Sequence, residues 1–567
     1  MMSIRVLLLS ATLVFVGCSD PGGQPDGQSD RAAAPEPRSI ALPMSPAEDG
    51  APLFDDLGEH GYQIMVGSEA AQRYFDQGLN LMYGFNHHEA IRAFREAARL
   101  DPDCAMCDWG QAAALGPNIN KAMDDADVTA AFALAQSALE KSSANPLVEQ
   151  ALIGALAVRY DPTSNDARAD LDLAYADAMR DVAVQFPDDL EVQTLFAEAL
   201  MTTMPWDYYT EEGAPKAATV EVIAALESVL ARNPDHPGAI HFYIHAVEAT
   251  DTPDRAEPYA DRLRTLVPGA GHLVHMPSHI YLRVGRYADA SQANVLAAAA
   301  DESYIAQCKA QGFYPATYYP HNIHFLWYSS AMEGRRDVSI AAARNLYDVL
   351  PLDEVDEFRE VEYFVPIPLL ANVRFGQWEA IRAAEPPPER WLYASAIWHY
   401  AQGLAKLAGG DPAGAGTELA ALEAILADEG IDALEIPFLM GKSNGAVARD
   451  DLAAQIALAG ADPEAGIALL HAAIEKQDAL PYTEPPYWYY PIRQRLGAAL
   501  LAMDRSAEAE TVYREDLAVY RHNGWSLFGL AQSLREQGKD EEAAGIEAEF
   551  AAIWQAADVE LTSSVIN

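Results

Sequence analysis

The chain has 567 residues, half of them hydrophobic, with 38 Lys and Arg against 84 Asp and Glu, a formal charge of −46. That balance excludes binding to phosphate backbones or to anionic membrane surfaces, so no nucleic-acid partner is expected. Four cysteines are too few for a disulfide-stapled scaffold, and the length exceeds what one core holds, which points to several domains or to repeats.

Arg5 is the lone charge ahead of an apolar run from Val6 to Val16, which ends in Val16-Gly17-Cys18 as a secretory signal does. The run is too short to span a membrane. Its end, VFVGC, resembles the lipoprotein signal box, with Phe15 in place of the usual leucine. The resemblance implies that residues 1–18 are a lipoprotein signal and that Cys18 is lipidated, anchoring the chain in the bacterial cell envelope through its N-terminal lipid only. Ser19 then favours the periplasmic face of the outer membrane over the inner membrane. Residues 19–50, rich in Pro, Gly, Ser, Gln and Asp, read as a disordered tether.

Beyond the tether the pattern is helical and repeating. A frame opening at Ala71 puts Tyr74 fourth, Gly78 eighth, Ala90 twentieth, Phe94 twenty-fourth, Ala97 twenty-seventh and Pro102 thirty-second. Small residues let paired helices approach, aromatics fill the space between them, and proline stops the second helix. Two further copies open at Tyr490 (Gly497, Ala509, Tyr513) and Gly524 (Ala531, Gly538, Ala543), and middle frames open at Leu190, Pro237, Gly271 and Pro320. The spacing resembles the tetratricopeptide repeat. That resemblance implies an all-α superhelical solenoid of antiparallel helix pairs, each unit packing on its neighbours, with a concave groove for a protein or peptide partner. The boundaries read as N-terminal repeats at 51–187, histidine-rich repeats with insertions at 188–360, degenerate helical repeats at 361–480 and a C-terminal pair at 481–567. Insertions at TTMPWDYYTEEGAP and CKAQGFYPATYY flank the histidine-bearing units.

Seven of the fourteen histidines lie on three short segments, HFYIHAVE, HLVHMPSHIY and PHNIHFLW. His241 and His275 are 34 residues apart, as are His245 and His279, the length of one repeat. By the tetratricopeptide resemblance, the second, fifth, ninth and twelfth residues of each frame face the groove. His241, His275 and His324 are fifth, His245 and His279 ninth, His272 and His321 second, Glu248 twelfth and Glu198 ninth. The segments also resemble those of a group of bacterial tetratricopeptide proteins with a histidine-rich centre.

Clustered neutral imidazoles are ligands for zinc, copper, nickel or iron, so a transition-metal ion is the expected cofactor, with the seven histidines as ligands. Satisfied polar side chains in an aromatic groove, or direct recognition of a peptide, are the alternatives. Pro277 breaks the hydrogen-bond ladder between His275 and His279 and locally kinks the helix. Two roles stay open: a metal- or partner-binding protein, or a metal-dependent enzyme of hydrolytic type with Glu248 or Glu198 as general base and the TMPWDYYTEEG insertion closing over the site. A metal-free protein-interaction scaffold is the third reading. Cys104 and Cys107, at a helix start, read as two buried small residues, a local disulfide, or a redox or soft-metal pair. His87 and His88 read as exposed residues in a turn.

Overall fold

The computed structural model describes residues 50–162, 165–210, 212–308 and 313–566. Cys18, the signal segment and residues 19–49 of the tether lie outside them. Among the described residues there are twenty-five α-helices and no strand beyond two isolated bridges. No described helix is long and apolar enough to cross a membrane.

The N-terminal helices are α1 (Glu69–Tyr83), α2 (His87–Leu100), α3 (Ala105–Leu115), α4 (Val128–Lys141), α5 (Leu147–Ala157) and α6 (Arg168–Gln185). The central ones are α7 (Leu190–Thr202), α8 (Ala217–Arg232), α9 (Pro237–Val247), α10 (Glu257–Leu266), α11 (Gly271–His275), α12 (Pro277–Val284), α13 (Tyr287–Cys308), α14 (Phe313–Met332) and α15 (Arg336–Val349). Then follow α16 (Ile367–Arg374), α17 (Trp378–Arg382), α18 (Leu392–Ala408), α19 (Pro412–Leu426), α20 (Gly441–Ala459) and α21 (Pro463–Asp478), and finally α22 (Ile492–Ala502), α23 (Ser506–Val519), α24 (Gly524–Glu536) and α25 (Asp540–Ile553). Successive helices pack on one another along the chain, α1 on α2, α3 on α4, α7 on α8, α13 on α14 and α22 on α23. This is the all-α, tetratricopeptide-like solenoid of helix pairs.

The frame residues explain the pairing. A Cβ on Gly78 would stand 2.6 Å from the Phe94 ring, and so would one on Gly110. Phe94 therefore fills the gap between α1, α2 and α3 only because both flanking positions are bare. Tyr513 fills the equivalent gap between Gly497 and Gly529 at the other end of the chain. Side-chain caps from Ser68, Asn86, Asp189, His236 and Asn523 open α1, α2, α7, α9 and α24.

The array departs from neighbour-only packing. Tyr287 Oη donates to Arg521 O at 3.1 Å, and Gly285, at φ +80°, lies so close to Arg521 O that a side chain there would clash. Trp525 Nε1 donates to Ala331 O at 3.0 Å, and both oxygens of Asp558 cap the start of α15 by accepting from Arg336 N and Asp337 N. The C-terminal repeats thus fold back onto α12–α15. The superhelical turn closes on itself, and its concave face becomes an interior.

Candidate metal centre

Three elements carry the histidines. His236 caps α9, and His241 and His245 follow one turn apart on it. Proline at 277 separates α11 from α12, leaving Met276 as the joint: His279 N turns to Met276 O at 3.2 Å. His275 and His279 thereby face each other across a break, with Nε2 atoms 2.9 Å apart. His321 comes from the middle of α14.

Six imidazoles form one continuous cluster. His241 and His245 ring centres are 4.8 Å apart, His245 and His279 5.6 Å, His272 and His275 5.8 Å, and His275 and His321 4.8 Å. His241, His245, His272, His275 and His279 are each at most 4% exposed, and His321 is half-buried. Phe85 covers His241 and His272 at 4.5 and 5.4 Å, Phe325 packs under His275, His279 and His321, and Trp206 stands edge-on to His245 at 5.1 Å. The expected open groove is therefore largely covered at this point, because Trp206 of the TMPWDYY insertion, Phe85 of the α1–α2 turn and Glu484 of the 479–491 segment lie against the rings. Trp206 itself takes a left-handed backbone, φ +60°.

The hydrogen bonds fix ring tautomers. His241 Nδ1 donates to Tyr83 O at 2.6 Å, His275 Nδ1 to Asn294 Oδ1 at 2.6 Å, His245 Nδ1 to Glu248 Oε1 at 2.8 Å and His279 Nδ1 to Glu248 Oε2 at 2.5 Å. Asn294 cannot flip, since its Nδ2 donates to Ala290 O. With Nδ1 protonated in all four, each ring turns its Nε2 inward, a lone pair wherever the ring is neutral. His245 Nε2 and His272 Nδ1 are buried with no hydrogen-bond partner.

Burial, reinforced by neighbouring imidazoles, holds His241, His272, His275 and His321 well below the ordinary histidine range, so these rings are neutral at physiological pH. His245 is also lowered by burial, against the pull of Glu248. For His279 the burial penalty is more than offset by Glu248, and it is raised. Burial raises Glu248, but His279 and His245 outweigh it and hold the carboxyl below its usual range.

Two sequence-predicted residues fall elsewhere. His324 stacks on Trp327 at 5.3 Å and meets Tyr363 and Phe364 edge-on, outside the cluster; burial alone lowers it to about 3. The helix explains the misplacement. α14 opens at Phe313, with Pro320 inside it rather than at its start, and Phe325, one turn after His321, takes the place against His275 and His279 that the frame gave to His324. Glu198 accepts from Thr202 on its own helix and is raised by burial, partly countered by Arg159. Glu248 has both oxygens engaged by histidines, which makes it a positioning carboxylate rather than a free base. Cys104 and Cys107 form a disulfide with S–S 2.07 Å, both buried, and Cys104 Sγ caps α3 by accepting from Cys107 N; no free thiol pair exists there. His88 is exposed, whereas His87 is half-buried, its Nδ1 donating to Ala114 O.

Sequence reasoning missed Glu484. It arrives from the segment between α21 and α22, is buried, and places Oε2 3.4 Å from His279 Nδ1. The acid among prolines and aromatics in PYTEPPYWYY is its only trace in the sequence. A second group was missed too: His60 and His236 Nε2 lie 3.4 and 3.3 Å from Glu191 Oε2, and Tyr83 Oη donates to Glu191 Oε1. There His236 Nδ1 accepts from Ala239 N, so its Nε2 carries the proton and donates to the acid. That tautomer makes the group a hydrogen-bonded anchor for α9 and not a metal site.

No protein-family model matches the chain, and no curated protein is similar to it in sequence. Among solved structures it is similar to the Cut9–Hcn1 hetero-tetramer of the APC/C (13% identity over 85% of this chain and 73% of that one, TM-score 0.28). It is similar also to yeast Tom70 (12%, 85% and 93%, TM-score 0.26) and to the TPR domain of P58(IPK) (10%, 83% and 99%, TM-score 0.21).

Proposed function

We propose that this protein is a metal-binding helical-repeat protein whose buried histidine cluster holds a transition-metal ion. One observation carries the reading: four histidines donate Nδ1–H to fixed oxygen acceptors and leave Nε2 inward, where His275 meets His279 and His241 meets His272 nitrogen to nitrogen. Packing alone gives no reason to converge lone pairs, which repel unless a proton or a cation lies between them. Ligating histidines hold just this outward hydrogen bond, which sets the tautomer and raises ligand basicity. The depressed histidines need no deprotonation to bind.

The donor set of imidazole and carboxylate suits zinc, copper, nickel or iron. His241, His245, His272, His275, His279 and His321 are the ligands, with Glu248 behind them, and His324 is not among them. Direct recognition of a peptide by these histidines finds no support, because Phe85, Trp206 and the 479–491 segment cover them. Lipid anchoring at Cys18 in the cell envelope goes with this reading, as the lipoprotein-like VFVGC box supports it, and a protein partner would meet the outer surfaces of the solenoid.

The test is elemental analysis of protein purified without chelator or affinity-tag metal, followed by titration of stripped protein with each of the four ions. At least one bound ion is expected, with less metal bound in His275→Gln/His279→Gln while helicity persists. Protein that binds none of the four and gains no thermal stability from them is a scaffold, and the proposal fails.

A further inference from the structure

Resting on that reading, we infer that the cluster is two metal subsites, one closed and one open, sharing Glu248 as a common positioning carboxylate. The ligand atoms group this way by distance. Those of His241, His245 and His272 lie within 4.8 Å of one another, and those of His275, His279 and His321 do so too, but the six do not form one such set. An ion with metal–nitrogen bonds of about 2.05 Å reaches donors no farther apart than about 4.1 Å, the trans span of an octahedron. One ion therefore cannot hold all six rings in this arrangement, and each trio falls short of the four ligands a tetrahedral site takes.

The separations inside each trio fit a shared ion. His241 and His272 Nε2 are 3.2 Å apart, and His275 and His279 Nε2 are 2.9 Å apart. Two nitrogens on one such ion stand about 3.3 Å apart in a tetrahedron and about 2.9 Å apart at right angles.

The subsites differ in access. The first is walled by Phe85, Trp206 and Tyr318, the last 4.6 Å from His272, and all three of its rings are buried. The second keeps a half-buried His321 and has the Glu484 carboxyl beside His279. An exchangeable ligand therefore enters at the second. Glu248 stands behind both, one oxygen on His245 and the other on His279.

The experiment titrates stripped full-length protein with Co(II), reading stoichiometry by elemental analysis after gel filtration and coordination by the visible spectrum. Two ions per chain are expected. His241→Gln/His245→Gln and His275→Gln/His279→Gln should each keep one, with different spectra, while circular dichroism reports that both variants are folded. Azide should perturb the spectrum of the ion left by the first variant and not that left by the second. Glu248→Gln should weaken both ions about 10-fold or more, the size of effect seen when an outer hydrogen-bond partner is removed. A single ion lost in both double variants overturns the two-subsite inference and leaves the metal-binding reading standing. No ion in the wild type overturns both. An azide response confined to the second variant, or absent from both, overturns the closed and open assignment.

Discussion

The histidine-bearing helices and the C-terminal pairs are built on one plan and solve their inward positions differently. In the frame opening at Tyr490 the fifth residue is Gln494, fully buried, whose Nε2 donates to Asn523 Oδ1 at 3.1 Å. The fifth residues of the central frames, His241 and His275, also make one good hydrogen bond through Nδ1, yet each leaves its Nε2 facing another imidazole nitrogen. Gln494 Oε1 is buried without a hydrogen-bond partner, as is His245 Nε2, so an unpaired polar atom is common to both regions. What sets the central one apart is that its imidazole nitrogens converge on one another.

The two regions are expected to unfold together. Truncation after Asp478 removes Glu484, Arg521, Trp525 and Asp558 together, exposing the interior faces of α12–α15. We expect loss of a cooperatively folded chain, and in the intact protein a common exchange-protection midpoint for α12–α14 and α22–α24 under mild denaturant. Protection lost first at the C-terminal repeats, with the centre unchanged, would restore neighbour-only packing.

A smaller effect comes from two buried acids, one in each region. Burial pushes Asp301, which accepts from Tyr314 and Asn322, up to about 7, and Asp516, which accepts from Ser526 and Asn523, up to about 6. Their folded values lie above the unfolded ones, so the folded state holds protons that the unfolded chain releases. The stability they contribute is full below about pH 4 and is lost as pH rises through 6 to 7. Asp301→Asn should flatten the fall in stability between pH 4 and 7 by on the order of 3 kcal/mol, and Asp516→Asn by on the order of 2 kcal/mol, as read by denaturant unfolding at several pH values. Equal slopes in wild type and variants would show that neither acid takes up a proton on folding.

Gly78→Ala and Gly529→Ala sharpen the likeness of the two ends. Each added methyl meets an aromatic ring already wedged between helices, so each should cost about 1–3 kcal/mol and leave any bound metal unchanged. The smallest effect is at Trp206. Trp206→Gly relieves a left-handed backbone while uncovering His245, so stability should stay within about 1 kcal/mol of wild type, whereas stopped-flow transfer of Co(II) to a chelator should quicken.

Much of this was legible in the sequence where the cause is local. The Ala71, Tyr490 and Gly524 frames could be found because a bare glycine and an aromatic must recur at fixed offsets for two helices to touch. His241, His245, His272, His275 and His279 could be found for the same reason, through the repeat length. His324 was misplaced because His321 and Phe325, four residues apart on α14, share the inward face, and His324, one residue before Phe325, is turned about 100° away. Glu484 and the closure through Arg521 and Asp558 left no periodic signal. Their partners lie 205, 234 and 222 positions away in the chain, and only the three-dimensional turn brings them together.

That closure sets an order of events in a chain made from its N-terminus. Contacts spanning more than 200 residues form late, because the loop entropy must be lost before they can compensate it. All six clustered histidines have been synthesised well before Glu484, and until the C-terminal repeats return, the recess they line is open on that side. On the metal-binding reading proposed above, an ion would enter during this interval, and once Asp558 has docked on α15 its retention would be governed by the rate of opening as well as by affinity.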